Sequence, residues 1–446
     1  MSEVATIFAL SSAPGRSGVA ILRVSGPAAG LVLNVMARPR PKPRYAAGRR
    51  IVHPTTGEAL DRGIVIWFPA PASFTGEDVA ELQVHGGRAV VKAMLDALAA
   101  IPGCRMAEPG EFARRAFANG KLDLAEIEGL ADLIDAETEA QRRQALRQAG
   151  GALSGIYESW RKALLEARAL IEASLDFADE QDVSTTAMAD ARSAVDAVAR
   201  AMRHHLDDGH RGEILRHGFT IVLAGPPNVG KSSLLNALAR RDVAIVSTEA
   251  GTTRDAIEVH LDLAGLPVIV TDTAGLRDTE AAVEREGIRR TLARVQDADL
   301  VLWVMDAHNP GVTLPPELRD VADKVLPVLN KADLLADGGP AVLPDDLIAV
   351  SALTGTGLEG LIARLGAVAV ERMAPGDDPA ITQARHRRHV SEALAALERF
   401  LSGSTEQEAL RAEDLRQAAE ALGRIAGRID VEDVLDQIFG RFCIGK

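Results

Sequence analysis

The sequence predicts a multidomain fold of α/β and all-α parts: an N-terminal α/β domain, a helical bundle in two separated segments, and a Ras-like P-loop domain inserted between them. Three observations predict it. Along 446 residues the composition shifts repeatedly, from Gly- and Pro-punctuated strand-like runs to Ala, Leu, Glu and Arg at helical spacing, and a chain of that length holds about three domains. Between roughly 216 and 375, continuous apolar runs alternate with helical stretches, the mark of a parallel sheet covered on both faces. One of those runs leads directly into GPPNVGKSS at 225–233, a G-x-x-x-x-G-K-[ST] loop between strand and helix.

In order along the chain, residues 1–118 predict strands at 19–26, 62–69 and 78–87. Residues 119–215 predict the first part of the bundle, with apolar stripes through Leu124, Ile127, Leu130, Leu133 and Ile134 and through Leu164, Leu165, Ile171 and Leu175. Residues 216–378 form the nucleotide domain, with strands expected at 218–225, 267–273, 298–306, 324–330 and 347–351. Helical spacing returns after APGDDP, and 379–446 complete the bundle. Neither helical half need close a core alone, so an inserted domain is the simplest arrangement.

The formal net charge of −13 excludes a protein that coats nucleic acid through bulk attraction, because phosphate neutralisation needs clustered Lys and Arg. Two local basic stretches stand out, RPRPKPRY at 38–45 and ARHRRHV at 384–390; each reads equally as a solvated surface or an anion contact. Aromatic residues make up 3%, so base stacking would rest on few rings. The start carries Glu3 where a signal peptide has positive charge. No apolar run reaches the roughly 18 residues of a membrane span, so the expectation is a cytoplasmic protein without membrane contact. Cys104 and Cys443, the two cysteines, make neither a disulfide framework nor a metal-ligand spacing.

In the 225–233 loop, backbone amides and a helix N-terminus point at phosphate, Lys231 brings a point charge and Ser232 a hydroxyl for Mg²⁺. DTAG, from Asp272 through Thr273 and Ala274 to Gly275, supplies an acidic residue near Mg²⁺ and an amide for the γ-phosphate. NKAD, with Asn330, Lys331 and Asp333, offers a carboxylate to the guanine edge, which selects GTP. Ser351, Ala352 and Leu353 add a backbone amide for the guanine O6. Leu276 stands where many GTPases have the Gln that orients water; Glu280, Glu284 and Glu286 are the nearest substitutes. STEAGTTRD at 247–255 has switch-loop character, with Thr252 or Thr253 as a second Mg²⁺ hydroxyl.

With TIFALSSAPGRSGVAILRVSG, SFTGEDVAELQVHGG, RMAEPGEFARRAFANGKLDLAEIEGLADLIDA, AGTTRD and the terminal CIGK, the chain resembles the tRNA modification GTPase MnmE (TrmE) family from end to end. The resemblance implies an N-terminal folate-binding, aminomethyltransferase-like domain that dimerises, a discontinuous helical domain and an inserted G domain. It implies work with an FAD- and NADH-dependent partner, MnmG (GidA), as a heterotetramer. Together they would place an aminomethyl or carboxymethylaminomethyl group on C5 of the wobble uridine of tRNA, using a tetrahydrofolate derivative (5-formyl or methylene). Hydrolysis would need K⁺ and G-domain dimerisation.

Residue by residue, the resemblance implies Asn228 with the carbonyls of Ser247, Glu249 and Thr252 for K⁺, and Ser232 with Thr253 for Mg²⁺. Glu284 would orient the water through a second water. Arg23, Glu81, Lys121 and Lys446 would form the folate pocket, with Cys443 a candidate for chemistry. The expected GTP-binding set adds Val229, Gly230, Ser233, Thr248, Ala250 and Gly251 to the motif residues above. Glu249 stands where an aliphatic residue is commoner. Apart from the resemblance, Arg23 reads as solvated, Glu81 as a surface partner of Arg88 and the tail as a frayed end; with the resemblance, the run VEDVLDQIFGRF carries the tail away from the bundle to the folate pocket of the N-terminal region.

The rival reading is a ribosome-assembly GTPase switch, against which stand the absence of an RNA-binding G-x-x-G loop and of a basic C-terminal lobe. A third is a dimeric scaffold whose tRNA contacts all come from its partner.

Overall fold

The computed structural model describes residues 5–176, 181–245, 258–272, 294–308, 316–335, 347–373, 379–403 and 408–429, with 435, 438–440, 442, 444 and 445. The chain forms two compact units, one of 1–131, 148–194 and 399–446 and the other of 132–147 and 195–398.

The first unit is built on a six-stranded sheet of order β3-β4-β5-β2-β1-β6. Its strands are β1 (Thr6–Leu10), β2 (Ser17–Ser25), β3 (Ala47–Val52), β4 (Ala59–Phe68), β5 (Val79–Gly86) and β6 (Cys104–Met106). Every pairing is antiparallel except β1 with β6. Alternation along the strands sends Leu22, Val24, Val65, Trp67, Leu82 and Val84 to one face, as period-two side chains require. There they meet Val32, Leu33 and Met36 of α1 (Ala29–Met36) and Met94 and Leu98 of α2 (Arg88–Ala99). Each such side chain contributes about 1.5–3 kcal/mol. On the other face, Ile7 and Ala9 are covered by Phe74 and by Phe112 of α3 (Glu111–Ala118). Toward β3 and β4 that face is open, with Ile64 42% exposed.

The unit's helical part includes the start of α4 (Leu124–Asp135), α6 (Ala152–Asp176), the start of α7 (Gln181–Leu206), and α12 (Glu408–Ile425) packed on α6. On α6 the buried residues are Leu153, Tyr157, Leu164, Ala167 and Ile171, an i, i+3, i+4 stripe. Leu165, expected in that stripe, is 37% exposed, and Ile134, expected on the α4 stripe, is 41% exposed. Leu165 lies a single place from Leu164, which turns it roughly 100° around the helix axis.

In the second unit the sheet order is β12-β11-β10-β7-β9-β8. The strands are β7 (Phe219–Ala224), β8 (Glu258–Leu263), β9 (Leu266–Asp272), β10 (Leu300–Asp306), β11 (Val325–Asn330) and β12 (Ile348–Ala349). All pairings are parallel except β8 with β9. Ile221, Leu223, Leu302 and Val304 point to one face, against Leu234 and Leu238 of α9 (Lys231–Ala239) and Leu361 and Leu365 of α10 (Leu358–Met373). Val222, Ala224, Val301 and Trp303 pack on the opposite face. The unit also holds α5 (Glu139–Ala149) to residue 147, the end of α7, α8 (Arg211–His217) and most of α11 (Ala384–Ser402). Thus the expected fold class of multidomain α/β with helical parts is the one found. Four strands were not anticipated: β1, β3, β6 and the antiparallel β8.

Candidate nucleotide site and a second polar cluster

A parallel sheet with both faces filled leaves the carboxyl ends of its strands for ligands. β7 ends in the 225–230 loop, and α9 starts at Lys231, so the amides of the first turn and the helix dipole converge on the loop. Gly230 caps this helix at φ +93°, and a Cβ there would lie 2.4 Å from Asn330 Nδ2. Only glycine satisfies both restrictions. Asn228 also adopts positive φ, at 65°.

Lys231 is 8% exposed. Its ammonium donates to the carbonyls of Gly225 and Pro226, each at 2.9 Å. Burial pulls its pKa down, with Asp272 opposing. An ammonium so placed exchanges loop carbonyls for phosphate oxygens without new desolvation. Ser232 Oγ donates to Asp272 Oδ2, joining the loop to the end of β9. A hydroxyl and a carboxylate in contact form the hard-oxygen pair that suits Mg²⁺.

At the base end, Asn330 ends β11 and is 1% exposed. Its Nδ2 donates to Val229 O at 2.9 Å, and its Oδ1 accepts from the Ala352 amide at 3.1 Å. This side chain therefore clamps three loops from three strands. Lys331 donates to Asn228 O at 2.8 Å and to Asp306 Oδ2 at 2.7 Å. That hydrogen bond, first among several, holds the Asp306 carboxyl below its usual range. Asp306, at the end of β10, was missed in the sequence because it belongs to no motif. Asp333 is exposed and accepts from Ser351 Oγ, while Ser351 is fully buried and Leu353 is 86% exposed. The loop and both base motifs are thus brought together. Ser233, on the first turn of α9, is exposed.

Ser247, Thr248, Glu249, Ala250, Gly251, Thr252, Thr253, Thr273, Ala274, Gly275, Glu284, Cys443 and Lys446 lie outside the described residues.

In the first unit, Arg23 of β2 faces Glu81 of β5 across the strands. Arg23 Nε and Nη2 both donate to Glu81 Oε1, at 3.1 and 3.0 Å. The Arg23 guanidinium lies 5.5 Å from the Phe74 ring centre and 5.9 Å from that of Phe112. Glu81 is paired with Arg23 rather than Arg88, because residues on adjacent strands of one face are closer than residues around a strand-helix corner. The arrangement presents a half-buried ion pair beside two rings, a setting for a flat heteroaromatic ligand with hydrogen-bonding edges. Lys121 is exposed, and its Cε lies 3.2 Å from where a Gly76 side chain would start.

The tail sits on this same unit. Ile438, Phe439 and Phe442 are buried with Ala113, Leu124 and Ile127, so the run before the tail packs on α3 and α4 instead of leaving the helices. Its apolar residues decide this: exposing two phenylalanines would forfeit several kcal/mol. Gly110 (φ +68°) admits the approach, since a Cβ there would be 2.4 Å from Phe439 O. Ile444 bridges Pro109, and Gly445 O accepts from Ser11 Oγ at 2.9 Å. In β1, Ala9 is the residue opposite Arg23, so at about 3.3 Å per residue the Ser11 contact is roughly 7 Å along the strand from that register. Cys104, on β6, is half-buried, and burial pushes its thiol pKa up.

Residues 6–121 match the family model described as the GTP-binding protein TrmE N-terminus, and 124–443 match the MnmE helical domain. The chain is 54% identical to the tRNA modification GTPase MnmE of Parvibaculum lavamentivorans, covering 99% of this chain and 100% of that one. It is 52% identical to the protein of that description from Paramagnetospirillum magneticum, covering 100% of both.

Proposed function

The chain belongs to the tRNA modification GTPase MnmE family, and we propose that it hydrolyses GTP to GDP and phosphate within a tRNA-modifying system of the cytoplasm. The modification is the attachment of an aminomethyl or carboxymethylaminomethyl group to C5 of the wobble uridine. The observation that carries this reading is the coexistence of two sites: a phosphate loop clamped by Asn330 to the base-reading motifs, and a separate ring-flanked Arg23–Glu81 pair bordered by β1, past whose end Ser11 holds the tail at Gly445.

In the nucleotide site, Lys231 and the amides of 228–233 hold the phosphates, Ser232 and Thr253 hold Mg²⁺, and Asp333 reads guanine N1 and the exocyclic amine. Glu284 orients the attacking water through a second water, in place of the missing Gln. K⁺ held by Asn228 and the carbonyls of Ser247, Glu249 and Thr252 supplies positive charge against the phosphates, and hydrolysis proceeds in a homodimer of G domains. Hard hydroxyl and carboxylate oxygens at Ser232 and Asp272 support the Mg²⁺ assignment.

In the first unit, Arg23, Glu81, Lys121 and Lys446 bind a tetrahydrofolate derivative, Phe74 and Phe112 flank it, and Cys443 is a candidate for the chemistry. That ligand supplies the one-carbon unit. A flavoprotein partner of MnmG type, with FAD and NADH, completes a heterotetramer.

Nucleoside analysis of tRNA from cells lacking the protein tests this: the C5 group at the wobble uridine is expected to vanish, and its retention would sink the reading. Replacing Na⁺ by K⁺ is expected to raise GTP turnover steeply, and Glu284→Ala to collapse it; cation-indifferent turnover contradicts the K⁺ assignment.

A further inference from the structure

The loop between β4 and β5 carries Phe74, one of the two rings beside Arg23, within the stretch SFTGE at 73–77. Phe74 is the only apolar side chain of that stretch, which therefore has little of its own to hold it in one conformation. Helix α3 holds it from outside. Arg115 Nη1 donates to both carboxylate oxygens of Glu77, at 3.2 and 3.1 Å, and its Nη2 donates to Ala5 O and to Glu111 Oε1, each at 2.9 Å. One turn further along, Asn119 Nδ2 donates to Thr75 O at 2.7 Å. From the sheet side, Ser25 Oγ donates to Glu77 Oε2 at 2.6 Å and lies 2.7 Å from Thr75 Oγ1. Ser25 and Thr75 are fully buried, and Ser25 shares a face of β2 with Arg23, two residues before it. Phe112, the second ring, stands three residues before Arg115 on α3, the spacing that puts two side chains on one side of a helix.

We propose that Arg115, assisted by Asn119, positions the one-carbon site: it fixes the 73–77 loop against α3 and so sets Phe74 beside Arg23. The ligand class, a tetrahydrofolate derivative, rests on the proposed function. Arg115 acts on that ligand through Phe74 and does not touch it.

Stability alone is a poor reason for this fork. Arg115 and Glu77 are only 12% and 18% exposed, and a buried ion pair is often no more stabilising than apolar side chains of the same volume. A guanidinium does what an apolar group cannot: its fixed donors hold separate segments in set directions, here the residue before β1, the ring-bearing loop and its own helix. Ordering a loop costs conformational entropy. With the loop already ordered in the folded chain, that cost does not fall on ligand binding.

The test is a double-mutant cycle in which 5-formyltetrahydrofolate binding to the full chain is read by titration calorimetry, at a temperature where circular dichroism shows every variant folded. Phe74→Ala is expected to bind on the order of tenfold more weakly, and Arg115→Ala to lose about as much. The double variant is expected to lose on the order of tenfold as well, because the clamp acts through a ring already removed. A merely structural role adds its own loss to that of the ring. A loss on the order of a hundredfold in the double variant, or unchanged affinity in Arg115→Ala, therefore overturns the inference. Should Arg115→Ala fail to fold, Asn119→Ala, which releases only Thr75 O, takes its place in the cycle: a loss that disappears in the Phe74→Ala background is expected, and an additive loss or none overturns the inference. A wild-type chain that binds no 5-formyltetrahydrofolate overturns the folate reading and the clamp together, whereas additive losses overturn the clamp alone and leave that reading standing.

Discussion

The second unit's sheet is parallel at every pairing but one and apolar on both faces, whereas the first unit's sheet is antiparallel at every pairing but one and open over part of one face. The difference decides where chemistry can be placed. With helices on both faces, polar function in the parallel sheet is confined to loops at strand ends, and each loop is one short continuous motif. The antiparallel sheet instead carries polar groups on a face, where neighbours such as Arg23 and Glu81 are 58 residues apart.

The comparison breaks most sharply at Lys231. Lys231→Ala is expected to lower GTP turnover by about 10²–10³-fold, while thermal melting of the first unit is unchanged; retained turnover would mean the loop is not the phosphate cradle. Next is Asp333→Ala. Losing two hydrogen bonds to a carboxylate, each worth at least about 1.5 kcal/mol, is expected to weaken GTP by about 10²-fold or more, read by titration calorimetry. Gly230→Ala places a side chain at positive φ against Asn330 and is expected to destabilise the second unit by about 1–3 kcal/mol, visible as a lower melting temperature.

The smallest effect is in the first unit and depends on pH. Burial alone would raise the Glu111 carboxyl, but hydrogen bonds from Arg105, the Glu108 amide and Arg115 outweigh it and leave the pKa lowered. A lowered folded-state pKa gives stability that is fully present above the unfolded value of about 4.3 and lost as pH falls through the folded value. Melting is therefore expected to weaken below about pH 4.3, and Glu111→Gln to remove part of that slope. An unaltered slope in the variant assigns the acid sensitivity to other carboxylates.

The same contrast explains what could be read in advance. The strands β7, β9, β10 and β11 announced themselves as continuous apolar runs, and β7, β9 and β11 as runs ending in motifs. The clamp role of Asn330 and the support from Asp306 were not legible, because they depend on which strand ends are neighbours in the parallel sheet. In the first unit β1, β3 and β6 are short or mixed in polarity, with Arg49 and Arg50 in β3, and gave no clear period-two signal. Arg23 and Glu81 stood out only through resemblance, and their pairing follows from the β2–β5 register. The packing of the run before the tail was not legible, because Phe439 and Phe442 find their partners at Ala113, Leu124 and Ile127, far away in sequence.

The central claim is that one chain carries two separable sites, one consuming GTP and one serving the wobble uridine. Its most direct test is the C5 modification of tRNA from cells whose only copy carries Arg23→Ala, measured beside GTP turnover of the purified variant at wild-type melting temperature. The account predicts loss of the C5 group with GTP turnover intact; a fully modified wobble uridine would contradict it.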